Sequence, residues 1–453
     1  MDLPPFELTR VQADVSALVE QIGPRPAGSP AARQAARYVE ARLREAGWEP
    51  LPIGLPGNLL ACRGAGDRLF LAHTDSVDGS PGAVDNAAGV AILLELARTS
   101  PAPDLCLGFP VAEEIGLIGS SHMAEFAGAF PRGELPRLVV SLDLTGQGQL
   151  SAMGFGPSWS PAALGWLSEA WAPARPDTPW AYQVYSRLLP QGERSDHAPF
   201  SAAGRPALLL FGRGEGGVFS RYHQPSDTTV EPVALAETLA TLAALAAAPS
   251  PPSPSPEAHA NALLLGRHLP GSALTALIGA GLLSGLADAR ALPELPGQLA
   301  KALLCALAAA ALSALVFALP GAPIAEAEAT AAAVMGMPAT GWWVKGPFAW
   351  SAGLLVFVAL RARLGPQGSG PLASAGLAAL ALLVDPLLAA PFALGALLGR
   401  LHPLLCAAPA LFLLRPDALR ELSFHGLLPP MMGGLVYLLA APALGSYRRG
   451  PRP

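Results

Sequence analysis

Charge is the scarcest property of this chain. Charged side chains make up 14% of its 453 residues, against about 25% in an average soluble protein. The deficit is uneven. Residues 1–256 hold 17 Arg, no Lys and 26 acids; residues 257–453 hold only 20 charged residues in 197. No basic stripe with interleaved aromatics occurs, which excludes the electrostatic footprint of a nucleic-acid binder. The four cysteines, Cys62, Cys106, Cys305 and Cys406, form no CxxC pair. That excludes a cysteine zinc site or a dithiol redox motif and leaves buried, reduced thiols as the expectation. The N-terminal run MDLPPFELTRVQADV has neither a basic segment nor an apolar core, so no secretory signal is legible.

What is present divides at a Pro/Ser-rich stretch, residues 248–256, whose composition suits a semi-rigid extended linker. Before it, amphipathic helix patterns at 7–22, 30–47, 161–171 and 231–247 alternate with short apolar runs at 58–62, 69–73, 105–112, 138–142 and 206–211. Strands alternating with helices predict an α/β sandwich on a largely parallel sheet over residues 1–247. After the linker come charge-free runs at 270–287, 302–319 and 346–360. A longer run at 370–399 is interrupted only by Asp385–Pro386, and further runs follow at 401–414 and 427–444. These lengths approach the ~20 residues that cross a bilayer. They predict an all-α transmembrane domain of about six helices over 257–453, with the lipid bilayer as its partner. The expectation is therefore a multi-pass cell-membrane protein. Its first domain, lacking a signal, stays on the cytoplasmic face. An ionisable residue inside an apolar span is a functional candidate by default, which singles out Asp385.

The chemistry concentrates where apolar strands stop. LFLAH ends in His73, LGFPVAEE in Glu113–Glu114 and VVSLD in Asp143. In parallel sheets ligands bind beyond the carboxyl ends of the strands. A Gly/Pro loop after His73 delivers Asp85 to the start of the next helix. Hydrolysis at neutral pH needs an activated water and a counter-charge for the oxyanion, and two metal ions about 3.5–4 Å apart supply both. Asp85 has two oxygens and suits a bridge. His73 and Asp143 suit one ion, Glu114 and His223 the other. Glu113, beside a ligand, suits a general base. Asp75 suits an acceptor for the ring N–H of His73.

These residues stand in seven ordered blocks: IGPRPAGS at 22–29, AHTDS at 72–76, PGAVDNAAGVAILLELAR at 81–98, EEIGLIGS at 113–120, SLDLTG at 141–146, SDHAPFSAAGRPA at 195–207 and YHQPSDT at 222–228. In order and spacing they resemble the co-catalytic di-zinc aminopeptidase family, which includes bacterial leucyl aminopeptidases, glutamate carboxypeptidase and glutaminyl cyclase. The resemblance implies an α/β/α sandwich with a mixed sheet, two Zn2+ ions and a peptide substrate. It implies zinc ligands at His73, Asp85, Glu114, Asp143 and His223, and a base at Glu113. Asp196 and His197 fall in positions expected to flank the site, and Asp227 is expected to brace the His223 loop. One departure stands out: a tyrosine that some members carry just before the SDH block is Gly192 here, with Tyr185 and Arg194 as the nearest alternative donors. The function expected is a membrane-anchored metallo-exopeptidase that removes N-terminal residues. The alternatives are an inactive peptide-binding module, or a peptidase coupled to transport.

Overall fold

The computed structural model describes residues 6–214, 221–254, 261–288, 293, 295–318, 370–407 and 415. They form two compact units: Met1–His259 with Leu263–His268, and Ala260–Ala262 with Leu269–Pro453.

The first unit is built on a seven-stranded sheet. Its strands are β1 (Leu51–Pro52), β2 (Leu59–Arg63), β3 (Arg68–Leu71), β4 (Leu105–Phe109), β5 (Leu138–Asp143), β6 (Gln149–Met153) and β7 (Ala207–Arg213), in the order β1-β2-β4-β3-β5-β7-β6. The central β4-β3-β5-β7 ladder is parallel, and β1, β2 and β6 add antiparallel edges. Helices α1 (Leu8–Ser16), α2 (Pro30–Glu45), α3 (Ala88–Thr99), α4 (Ile118–Glu125), α5 (Pro161–Ala170), α6 (Trp180–Leu188), α7 (Ala198–Ala202) and α8 (Pro232–Ala247) connect and cover the strands.

Side-chain alternation along the strands creates two cores. Phe70, Leu107 and Val140 face one core, shared with Val11 of α1, Val39 of α2, Leu93 of α3, Leu167 of α5 and Leu239 of α8. Leu69, Leu71, Cys106 and Val139 face the other, shared with Met123 of α4 and Phe200 of α7. The sheet is thus sandwiched between helical layers. Apolar strands buried on both faces read as continuous hydrophobic runs, which is why β3, β4, β5 and β7 were legible in the sequence. The edge strands β1 and β6 were not, since two residues and the run QLSAM carry little periodicity.

Cys62 and Cys106 are register partners on β2 and β4 and form a disulfide. This corrects the expectation of reduced thiols for that pair, while Cys305 and Cys406 are buried thiols. The cause is pairing geometry, which spacing in sequence does not show: antiparallel neighbours stand 4.0 Å apart at Cα across a sequence separation of 44. Reduction, or a Cys62→Ser/Cys106→Ser double substitution, is expected to cost about 2–4 kcal/mol, from the freedom the reopened loop regains when unfolded. Thermal melts with and without a phosphine reductant measure this.

The Pro/Ser segment does not run free where it is described. Trp166 Nε1 donates to the Pro249 carbonyl at 3.0 Å, Arg137 to that of Pro251 at 3.3 Å, and the Arg68 guanidinium to those of Ala248 and Pro249. The first unit also takes in Leu263–His268 past it. Strands β8 (Ala262–Leu264) and β9 (Arg267–Leu269) form a hairpin. Its Leu263 exchanges two 2.7 Å hydrogen bonds with the Gln183 amide, and its Gly266 N–H donates to Thr178 Oγ1 at 3.0 Å.

In the second unit, α9 (Gly271–Leu286), α10 (Leu295–Ala318), α11 (Gly370–Leu382) and α12 (Pro386–Leu398) replace the expected spans. No helix among the described residues is long and apolar enough to cross a membrane. The expected transmembrane domain of about six helices is therefore not supported by the described residues. For α9, α11 and α12 the physical reason is length. A helix of 16 residues, α9, reaches about 24 Å, and the 13-residue α11 and α12 about 20 Å each, short of the ~30 Å hydrocarbon core. The long apolar run breaks at Asp385, whose carboxylate accepts from Leu387 N–H at 2.7 Å and caps α12. Asp385 is thus accounted for as a helix cap. Of the run at 401–414, residues 401–407 are described and hold a short turn at Pro403–Cys406, and the runs at 346–360 and 427–444 lie outside the described residues.

Candidate metal centre

β3, β4 and β5 end along the same edge of the sheet, because their register pairs Leu71 with Gly108 and with Ser141. Each chain then delivers its polar groups just past that edge: His73 after β3, Glu113 and Glu114 after β4, and Asp143 as the last residue of β5. The loop after His73 returns through Ala83–Ala87 into α3 and brings in Asp85. His223 arrives from the segment before α8. Ala112 (φ 61°), Leu144 (φ 53°) and His223 (φ 58°) all hold left-handed backbone, rare for side chains with a Cβ. Each flanks or is one of the site residues. Such strain persists only where the surroundings dictate it and gathers at functional sites.

His73 Nε2 stands 3.3 Å from Asp85 Oδ1 and 3.8 Å from Asp143 Oδ1. His223 Nε2 stands 3.4 Å from Asp85 Oδ2 and 3.1 Å from Glu114 Oε2. The two oxygens of Asp85 therefore each face a different imidazole. The donor atoms of His73, Asp85 and Asp143 lie within 4.8 Å of one another, as do those of Asp85, Glu114 and His223, and those of His73, Glu113 and Glu114. Side-chain exposure rises from 0% at His73 through 16% at Asp143 to 34% at His223, so the site opens on the Asp143–His223 side.

The electrostatics demand positive charge. Burial opposes protonation of His73, yet the nearby carboxylates of Glu113, Asp143, Asp75 and Asp85 outweigh it and hold the ring well above its usual range. His223 is pushed up to about 10, with Asp85 and Glu114 overcoming burial. Burial raises Asp85, but the two histidines overcome it and hold this carboxyl below its ordinary value. Burial raises Glu114 too, aided by Asp85 and opposed by His223. Burial also lifts Glu113 well above the carboxylate range; His73 opposes this, while Asp143, Asp196 and Glu114 add to it. Without a cation, protons are what balance these carboxylates. Divalent ions among them would reverse that logic.

The donor set fits zinc. His73 Nδ1 lies 3.1 Å from the main-chain carbonyl of Asp75. A carbonyl only accepts, so Nδ1 carries the proton, and in the neutral ring Nε2 keeps its lone pair for a ligand. His73 Nε2, His223 Nε2 and Glu114 Oε1 are buried without hydrogen-bond partners among the described residues. Imidazole and carboxylate donors are the zinc ligands of open catalytic sites.

Structure refines the roles around this cluster. The Asp75 carboxylate sits 3.7 Å from His73 Nδ1 and instead accepts from the Glu113 and Glu114 N–H groups, each at 3.3 Å. It thereby ties the β4 loop to the strand end bearing His73. Asp227 braces the Asp85 turn: its carboxylate accepts from Val84 N–H and Asp85 N–H at 3.1 Å, and its carbonyl from Ala83 N–H at 3.0 Å. Because Asp227 follows His223 closely, this joins the segments that carry Asp85 and His223. Burial pushes Asp196 up to about 7, and its charge acts on Glu113. His197 Nε2 lies 3.2 Å from the buried carboxylate of Glu193. A side chain at Gly192 would collide with Tyr185 Oη, so that hydroxyl fills the place a residue-192 side chain would take.

Sequence reasoning missed two residues. The Tyr222 ring stacks on His223 at 3.7 Å, and burial with Asp85, Asp143, Glu114 and Glu113 holds its hydroxyl protonated, well above the usual tyrosine range. Arg25 is fully buried beneath the Asp85 loop. Both lie inside the motif blocks, but adjacency in sequence did not reveal what they touch.

Residues 63–247 match the model of Peptidase family M28. Six of the seven motif blocks lie inside the matched stretch. Among curated proteins, Aminopeptidase YwaD of Bacillus subtilis (strain 168) is 35% identical over 170 residues, covering 35% of this chain and 35% of the relative. The chain thus spans about a third of that relative's length. Among solved structures, BSAP, a zinc aminopeptidase from Bacillus subtilis, aligns with 18% identity and TM-score 0.45, over 54% of this chain and 95% of the other. A Porphyromonas gingivalis glutaminyl cyclase aligns with 19% identity and TM-score 0.43, over 53% and 98%.

Proposed function

We propose that the first unit is a two-zinc aminopeptidase, hydrolysing the N-terminal peptide bond of peptides. The observation that carries this reading is the shared carboxylate: Asp85 faces His73 with one oxygen and His223 with the other. His73, Asp85 and Asp143 would hold one ion, and Asp85, Glu114 and His223 the other. When bound, zinc would lower the pKa of water and polarise the scissile carbonyl. Glu113 is the general base. It takes a proton from the attacking water and returns it to the departing amine nitrogen. Asp75 holds the main chain of Glu113, Asp227 holds that of Asp85, and Tyr222 keeps a neutral hydroxyl donor beside the same carboxylates. Family match and motif blocks support the activity class; the role of each residue is inferred from this geometry.

Treatment with a chelator is expected to abolish hydrolysis of aminoacyl chromogenic substrates, and added zinc to restore it. Activity that survives removal of all bound metal would sink the proposal. As for where the enzyme works, the Cys62–Cys106 disulfide favours an oxidising surrounding. That runs against the cytoplasmic placement expected from the N-terminal sequence. Acid-quenched cells treated with a thiol-alkylating reagent should yield protein carrying two labels, at Cys305 and Cys406, rather than four.

A further inference from the structure

The loop between His73 and Asp85 closes over a guanidinium. Arg25, from the turn between α1 and α2, is 1% exposed. Its Nε donates to the Thr74 carbonyl at 3.0 Å, and Nη1 to those of Leu18 and Gly23 at 3.0 Å and Pro81 at 2.6 Å. Nη2 donates to the Gly82 carbonyl at 3.2 Å. Its own N–H donates to Ser76 Oγ at 3.0 Å, and the Ser76 N–H returns to the Arg25 carbonyl at 3.3 Å. Ser76 Oγ in turn donates to the Ser80 carbonyl at 2.8 Å. One side chain thus gathers carbonyls from both ends of the segment that separates the two ligands: Thr74 beside His73, and Pro81–Gly82 before Asp85.

No carboxylate lies within ion-pair distance of Arg25 among the described residues. A buried cation without a direct partner is costly. Burial lowers its pKa to about 10, opposed by Asp75, Asp85, Asp227 and Glu114, so it remains charged at neutral pH. The carboxylates of the metal centre are what make the buried charge tolerable, and the charge in turn moderates their mutual repulsion.

We propose that Arg25 is a positioning residue for the metal centre: it presets the separation of His73 from Asp85 by tying the strand end to the loop. This rests on the two-zinc reading of the site. A lysine keeps the charge but cannot span these carbonyls, because an ammonium is a point and a guanidinium is a fork.

The test compares wild type, Arg25→Lys and Ser76→Ala as full-length chains. Zinc affinity is measured by chelator competition, and melting temperature with and without zinc. Arg25→Lys is expected to weaken zinc binding by about 10–100-fold, as loss of groups that orient metal ligands does elsewhere. The rise in melting temperature on adding zinc should shrink with it. Ser76→Ala, which loosens the same loop without removing the guanidinium, should weaken binding less and in the same direction; it decides the matter if Arg25→Lys does not fold. A lowered melting temperature with unchanged zinc affinity would make Arg25 a stabilising residue only and overturn the proposal. Absence of zinc binding by wild type would overturn the two-zinc reading itself, and is seen before any variant is compared.

Discussion

Replacing Glu113 by Gln is expected to slow hydrolysis by about 10²–10⁴ in kcat while leaving zinc content at the wild-type level. The substitution keeps the shape of the side chain and removes its basicity. Glu113 is not needed to complete either donor set that shares Asp85, so the metals should stay. Its main chain is held by Asp75, so the backbone should not move either. The protein environment disfavours the charged form of this carboxyl, through burial and the nearby Asp143, Asp196 and Glu114. Such a group accepts a proton readily, which is the property of a base. Steady-state kinetics on an aminoacyl substrate, with zinc measured on the same samples, checks the prediction. Unchanged kcat with full zinc would remove Glu113 from the chemistry; loss of zinc would make it a ligand instead.

The second large effect concerns metal number. Asp85→Ala is expected to abolish activity and to lose both zinc ions, whereas Asp143→Ala should lose one. The asymmetry follows from geometry. Of the two histidines Asp143 approaches His73, at 3.8 Å, whereas Asp85 approaches both His73 and His223, at 3.3 and 3.4 Å. Removing a shared carboxylate also leaves two imidazoles facing each other's cation with nothing between, which adds repulsion to the loss of a ligand. Metal analysis of the purified variants distinguishes the cases. A single zinc retained in Asp85→Ala would show that the two donor sets are independent and that Asp85 is not a bridge.

Much of this site was legible before any coordinates. A parallel sheet forces its carboxyl ends onto one edge, so three apolar runs that each stop at a His, Glu or Asp already imply one cluster. The motif blocks made the bridging role expected of Asp85 firmer than spacing could, because a loop can approach that edge in many ways. Asp75 and Asp227 were read as supports for His73 and for the His223 loop; their carboxylates accept from the N–H groups of Glu113 and Glu114 and of Val84 and Asp85, and such bonds leave no trace in residue type. Arg25 and Tyr222 were passed over for the same reason.

The second half shows the opposite balance. Composition alone argued for membrane spans, because long charge-free runs usually have no other home. Yet Asp385 caps a helix, and the run it interrupts becomes two helices too short to cross. Helix length depends on where a chain breaks, and one carboxylate decided it.

Residue type and order by themselves determined the sheet's central strands, the donor chemistry and its likeness to a di-zinc peptidase. Those follow from periodicity and from which groups can bind a cation. Only the tertiary structure decided the Cys62–Cys106 bond, the shared orientation of Asp85 between two histidines and the burial of Arg25 beneath the loop. Each depends on distances between segments far apart in the chain, and those distances exist only once the sheet's register is set.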